Sequence, residues 1–103
     1  MLQIRTIGKG KYDCTLTSEE EKAVVNYIKN DPVRFNRFSA EDSILIAVEE
    51  LWEDGKIDLY GNSEENDFTT ESLIWCPYEE RSAEEILNIK KENKTPCNKE
   101  GIN

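Results

Sequence analysis

Carboxylates are the reactive side chains that this sequence supplies in quantity, and they concentrate in its second half. Residues 39–87 contain fifteen Asp and Glu residues against two basic residues. Placed on a helix at about 100° per residue, Asp42, Glu49 and Glu53 fall within about 40° of one another. Such a row could hold a divalent cation, or it could present negative charge to a basic partner.

Catalysis is disfavoured because the chain contains no histidine. That absence removes Ser-His-Asp and Cys-His constellations, His-based metal sites and the commonest general base near neutral pH. Cys14 and Cys76 lie in strand-like patterns, so we expect buried structural thiols rather than nucleophiles. The sequence therefore predicts a protein that is not an enzyme.

A calcium loop is the metal site that the sequence comes nearest to matching. Residues 53–58 are similar to the middle of an EF-hand loop, with Gly55 at the position that needs glycine. In that register Trp52 and Gly61 stand where two oxygen ligands are required. We therefore predict no metal site and no cofactor.

Length and net charge narrow the class of protein further. The 103 residues suffice for one domain, and the net charge of −9 disfavours direct binding to nucleic acid or to anionic lipid. The first residues lack the apolar run of a signal peptide, and the three cysteines are too widely spaced for a C-x-x-C pair. These features favour a cytoplasmic protein with no membrane association.

The first elements follow from alternation and from a capping pattern. Residues 2–7 and 12–17 alternate apolar and polar side chains, which predicts a β-hairpin. Ser18 and Glu21 have the spacing of a capping box, so a first helix is expected to begin there and to end near Asn30.

A second helix is predicted after a connection at residues 33–38. Ser39 is its expected N-cap, its end lies at about Asp54, and Gly55 supplies a left-handed stop. Its apolar side chains fall on one broad face, which makes it the strongest core element. These side chains are Ile44, Leu45, Val48, Leu51 and Trp52.

A second hairpin and a third helix complete the prediction. Residues 56–60 alternate and residues 68–76 are rich in β-branched and aromatic side chains, which indicates two further strands. Ser82 and Glu85 form another capping-box pattern ahead of a short helix.

The predicted order is β-β-α-α-β-β-α, an α+β fold with helices packed on one antiparallel sheet. We expect one domain over residues 1–93 and a flexible polar tail over residues 94–103, because the tail carries too little apolar surface to order it.

The acids of the second helix and the second hairpin together predict a partner-binding surface. Ile46 lies among them and is a candidate apolar anchor, whereas Trp75 fits a core position better. For Ile46 the pattern leaves both roles open. The predicted partner-binding residues are Asp42, Ile46, Glu49, Glu50, Glu53, Asp54, Asp58, Asp67 and Glu71.

The chain resembles small acidic nucleic-acid-mimic inhibitors of phages and mobile elements, of the anti-CRISPR or anti-restriction type. The resemblance rests on size, acidity, the lack of catalytic groups and the acids named above. It implies a basic partner such as a nuclease whose nucleic-acid channel is blocked. Alternatives are an immunity protein or antitoxin against a basic toxin enzyme, a plain adaptor, or acids that serve solubility alone.

Overall fold

Helices cover one face of a three-stranded antiparallel sheet, which confirms the predicted α+β class. The computed structural model describes residues 1–7, 12–58 and 70–89. Its strands are β1 (Gln3–Thr6), β2 (Tyr12–Thr15) and β3 (Leu73–Trp75), and its helices are α1 (Ser18–Lys29), α2 (Pro32–Phe35), α3 (Ala40–Glu53) and α4 (Ala83–Leu87).

The first strand is the centre of the sheet, whose order is β2-β1-β3. The predicted first hairpin is confirmed, with Ile4 opposite Cys14 on β2. On the other side Ile4 lies opposite Trp75 of β3, also antiparallel. Leu2, Ile4 and Thr6 are fully buried while the residues between them are half-buried. Because burial alternates with a period of two residues, one face of β1 lies against the helices.

The prediction of a second hairpin is wrong for the residues that the structure describes. Residues 56–58 form no strand, residues 70–72 form a short 3₁₀ turn, and β3 pairs with β1. Alternation indicates which side chains are buried, but it does not select the strand that pairs. The remaining residues of this predicted hairpin, 59–60 and 68–69, lie outside the described residues.

The N-cap of the first helix lies one residue earlier in the sequence than predicted. Thr17, not Ser18, is the N-cap: its hydroxyl accepts from the Glu20 amide at 3.1 Å, and the Glu20 carboxylate accepts from the Thr17 amide at 2.9 Å. In the sequence, Thr17 with Glu20 and Ser18 with Glu21 both have the spacing of a capping box. Glu21 instead binds Arg81, 60 residues away, which favours the Thr17 register. The predicted end near Asn30 is confirmed, because Asn30 is the C-cap.

The predicted connection after α1 contains the short helix α2. Pro32 occupies its first turn, where a missing N–H costs no hydrogen bond, and Phe35 is buried. The N-cap of α3 is Ser39, as predicted, and its hydroxyl accepts from the Asp42 amide at 3.1 Å. Gly55 has a φ of 75°, which confirms the left-handed stop.

The core lies between the sheet and α3, which contacts α1, α4 and β3. The third predicted helix is confirmed as α4, with the Ser82 and Glu85 capping box intact and Asn88 left-handed at its end. Trp52 is half-buried and packs against the core. The buried residues of α3 are Ser43, Ile44, Leu45, Ala47, Val48 and Leu51.

Several predictions fall on residues that the structure does not describe. They concern Asp67, the tail at 94–103 and the domain boundary at 93. Among the helices within the three described ranges, none has the length and apolar character needed to cross a membrane.

Candidate partner-binding surface

The outer face of α3 carries the predicted row of acids. Asp42 and Glu53 are exposed and Glu49 is half-buried, whereas Leu51, about half a turn round the helix from Glu53, is buried. A rise of about 1.5 Å per residue separates Asp42 from Glu49 by about 10 Å and Glu49 from Glu53 by about 6 Å along the axis. The row therefore points away from the core.

The 3₁₀ turn at Thr70–Ser72 adds a carboxylate beside this row. The Thr70 hydroxyl donates a hydrogen bond to the Glu49 carboxylate, which joins the turn to α3. Glu71 follows immediately and is exposed. Glu71 was predicted to lie in a strand of the second hairpin, and this is wrong because Glu71 belongs to the turn. No local pattern signals Thr70, since its partner is 21 residues away.

Glu50 is engaged within the protein. Arg34 of α2 binds it with both guanidinium nitrogens, one at 2.9 Å, and the Tyr27 hydroxyl of α1 donates to it at 2.6 Å. The hydrogen bonds from Arg34 lower the pKa of Glu50, and the hydrogen bond to Glu50 raises the pKa of Tyr27. Glu50 therefore joins α1, α2 and α3 and is electrically compensated, unlike Asp42 and Glu53. Sequence reasoning missed both of its partners.

The C-terminal end of α3 concentrates negative charge. Glu53 and Asp54 are exposed there, and the last turn of the helix contains no basic residue. The helix dipole already makes this end negative, so each carboxylate is unfavourable by about 0.3–1 kcal/mol. Over the described ranges no ion pair involves either residue. Lys56, exposed in the following turn, is the nearest base in the sequence.

Asp58 extends the acidic region toward α1. Its backbone N–H donates to the Glu20 carboxylate at 3.2 Å, and its side chain is exposed. The segment after α3 thus meets the first turn of α1, which carries Glu19, Glu20 and Glu21. The acids of residues 39–87 and those of α1 therefore lie close together at this point of the surface.

The ion pairs of the described residues lie mostly away from the outer face of α3. Arg5 pairs with Asp13, and Arg81 pairs with Glu21 and Glu79. We call the uncompensated set the α3 acidic surface. Its residues are Asp42, Glu49, Glu53, Asp54 and Glu71.

The two candidate apolar anchors pack inward to different degrees. Ile46 and Trp75 are both half-buried and contact the core. Leu73, two residues before Trp75 on β3, is 1% exposed. Trp75 therefore has the core position that the sequence favoured, and the remaining exposed surface of Ile46 lies between Asp42 and Glu49 on the helix.

Comparison with known proteins gives no indication of function, so the function is inferred from the α3 acidic surface. No family model, no curated protein and no solved structure matches this chain. Across residues 1–7, 12–58 and 70–89, no group of three or more His, Cys, Asp or Glu side chains is placed to hold a metal ion. What the α3 acidic surface can do, by its geometry, is bind a surface rich in Lys and Arg.

Proposed function

We propose that this chain is a non-enzymatic inhibitor whose α3 acidic surface binds and blocks a basic nucleic-acid-binding surface of a target protein. A CRISPR effector or restriction nuclease is the kind of target that fits. The observation that carries the proposal is the pair Glu53 and Asp54, exposed at the negative end of α3 with no basic residue in its last turn.

That arrangement is unfavourable in the isolated protein and favourable in a complex. Carboxylates at a helix C-terminus oppose the dipole, so the lone domain gains nothing from them. Lys or Arg side chains of a partner would relieve the repulsion between these carboxylates and the helix dipole. The negative end of the dipole would also stabilise those cations. Opposite charges also accelerate association by steering the two proteins together.

Carboxylates on α3 and phosphates on nucleic acid would use the same basic groups of the target. Direct binding of nucleic acid by this chain is disfavoured by its net charge of −9. We place the encounter in the cytoplasm, where Cys14 and Cys76, both buried thiols, require no oxidising compartment.

A competition assay tests the mechanism. A panel of purified CRISPR effectors and restriction nucleases would be screened for inhibition, and any inhibited nuclease titrated with its nucleic acid at two salt concentrations. We expect stoichiometric inhibition, competition for one site and weaker binding of both ligands at higher salt. Simultaneous binding of protein and nucleic acid with unchanged affinity would reject the mimic mechanism.

Charge-reversal variants localise the surface. Glu53→Lys with Asp54→Lys should slow association with the target by tenfold or more, about 1.4 kcal/mol. The matched control is Asp31→Lys with Glu80→Lys, which makes the same change in net charge at exposed positions outside α3. Equal effects from the two pairs would show that net charge, not the α3 acidic surface, governs binding.

The identity of the bound target separates this function from its alternative. An immunity protein or antitoxin would also lose affinity on charge reversal, but its target would be a toxin enzyme rather than a CRISPR effector or restriction nuclease. Inhibition of such an enzyme, with none of the nucleases affected, would replace the proposed function by that one.

A further inference from the structure

The 3₁₀ turn at Thr70–Ser72 is attached to the rest of the fold at both of its ends. At its first residue, the Thr70 hydroxyl donates a hydrogen bond to the Glu49 carboxylate of α3. At its last residue, the Ser72 carbonyl accepts a hydrogen bond from the Ile7 N–H at 2.8 Å, directly after β1. Glu71 lies between these two attachments and is exposed. The position of Glu71 beside α3 therefore depends on both bonds.

The two attachments differ in how much they depend on the side chains. The bond to Ile7 joins two backbone groups, so any residue at position 72 can accept it. The bond to α3 requires a hydroxyl at position 70 and a carboxylate at position 49. The side chain of Thr70 is thus a sequence-specific link between the turn and α3, which are in contact.

We propose that Thr70 is a positioning residue of the α3 acidic surface, whose hydroxyl holds the turn against α3 so that Glu49 and Glu71 meet one basic partner together. This inference rests on the proposed function. Within the described ranges no ion pair involves Glu49 or Glu71. A carboxylate has about four acceptor positions, so Glu49 can bind Thr70 and still accept hydrogen bonds from Lys or Arg.

The physical reason is preorganisation. A carboxylate on a detached turn would have to be ordered when the partner binds, and that loss of freedom would weaken binding. With the turn attached at both ends, the backbone that carries Glu71 is already ordered in the free protein. Removal of the Thr70 hydroxyl should therefore reduce what Glu71 contributes to binding, although Glu71 itself is unchanged.

A purely structural role for Thr70 makes a different prediction. In that case the loss of its hydroxyl would lower stability, but it would leave the contribution of Glu71 to binding intact. The coupling between Thr70 and Glu71 in a double-mutant cycle on affinity distinguishes the two roles, because it measures whether one residue acts through the other.

Fluorescence polarisation with the full chain measures this coupling. The probe is a labelled peptide of about 12 residues made of Arg and Gly, in buffer of about 0.05 M ionic strength, where surface charges are weakly screened. We expect Glu71→Lys to weaken binding by about fivefold in the wild type and by less than about twofold in Thr70→Val. Thr70→Val alone should weaken binding by about threefold.

Two variants control for the substitution itself. Thr70→Ser keeps the hydroxyl and should retain both the wild-type affinity and the full effect of Glu71→Lys. Thr15→Val makes the same change at another half-buried threonine, on β2, and should leave both unchanged. Urea unfolding shows that each variant is folded, and Thr70→Ala removes the same hydroxyl if Thr70→Val is not.

The possible failures point to different conclusions. An undiminished effect of Glu71→Lys in Thr70→Val, or an equal loss of coupling in Thr15→Val, would overturn the positioning role while the wild type still binds the peptide. If the wild type does not bind the Arg peptide, the proposed function is overturned and this inference with it.

Discussion

The substitution Glu50→Gln tests whether this residue stabilises the fold rather than serving the α3 acidic surface. Glutamine keeps the size of the side chain and removes its charge. It would leave Arg34 facing an amide in place of a carboxylate that accepts two hydrogen bonds from it, and would weaken the bond from Tyr27. All three groups belong to the junction of α1, α2 and α3.

The magnitude follows from the exposure of the pair. Hydrogen bonds to charged groups contribute about 1.5–3 kcal/mol when shielded from water, and exposed ion pairs about 0.2–1 kcal/mol. The Glu50 side chain is 30% exposed and that of Arg34 is 41% exposed, so the pair lies between these limits. We expect Glu50→Gln to lower the free energy of unfolding by about 1.5 kcal/mol, which corresponds to a fall in Tm of roughly 6–12 °C.

Urea unfolding at pH 7 measures this loss, with Glu53→Gln as the control. Glu53 is exposed in the last turn of the same helix, and we expect its replacement to raise the free energy of unfolding by about 0.3–1 kcal/mol, because it removes a carboxylate that opposes the helix dipole. In a double-mutant cycle with Arg34→Gln, the coupling energy should be about 1 kcal/mol. Equal effects of Glu50→Gln and Glu53→Gln, or zero coupling, would refute the structural role assigned to Glu50.

The pH dependence gives an independent check. The pKa of Glu50 is lowered in the folded state from its ordinary value of 4.5. Its contribution is therefore complete above about pH 4.5 and is lost as the pH falls through the lower folded pKa. The stability difference between wild type and Glu50→Gln should shrink as the pH falls below this point. A difference that persists undiminished at acidic pH would contradict the assigned cause.

Three further changes test the fold by urea unfolding. Thr17→Ala should cost about 1 kcal/mol because Thr17 caps α1, whereas Ser18→Ala should cost less than about 0.5 kcal/mol; the reverse order would restore the Ser18 cap. Gly55→Ala should cost about 1 kcal/mol from backbone strain alone, since φ is 75° and no atom lies within 4 Å of the added Cβ. Arg81→Ala should cost about 1.5 kcal/mol because it leaves Glu79, whose side chain is 5% exposed, without its pairing cation, and an unchanged midpoint would deny this ion pair a role in stability.

Local patterns in the sequence determined the ends of α3 and the start of α4. The Ser39 cap, the Gly55 stop and the Ser82 capping box each involve residues within a few positions of one another, so the spacing alone was enough to place them. The buried face of α3 followed from its helical period. The row of Asp42 and Glu53 on the opposite face was predictable for the same reason.

Tertiary structure decided the features that depend on contacts between distant residues. No residue near β3 in the sequence specifies that β3 pairs with β1. The choice between Thr17 and Ser18 as the N-cap depends on the hydrogen bond from Arg81 to Glu21, which makes Glu21 unavailable for a capping box with Ser18. The separation of Glu50 from the α3 acidic surface has the same origin. Whether the charge of a carboxylate is compensated depends on which cation the fold places beside it. When that cation is far away in the sequence, no local pattern indicates it.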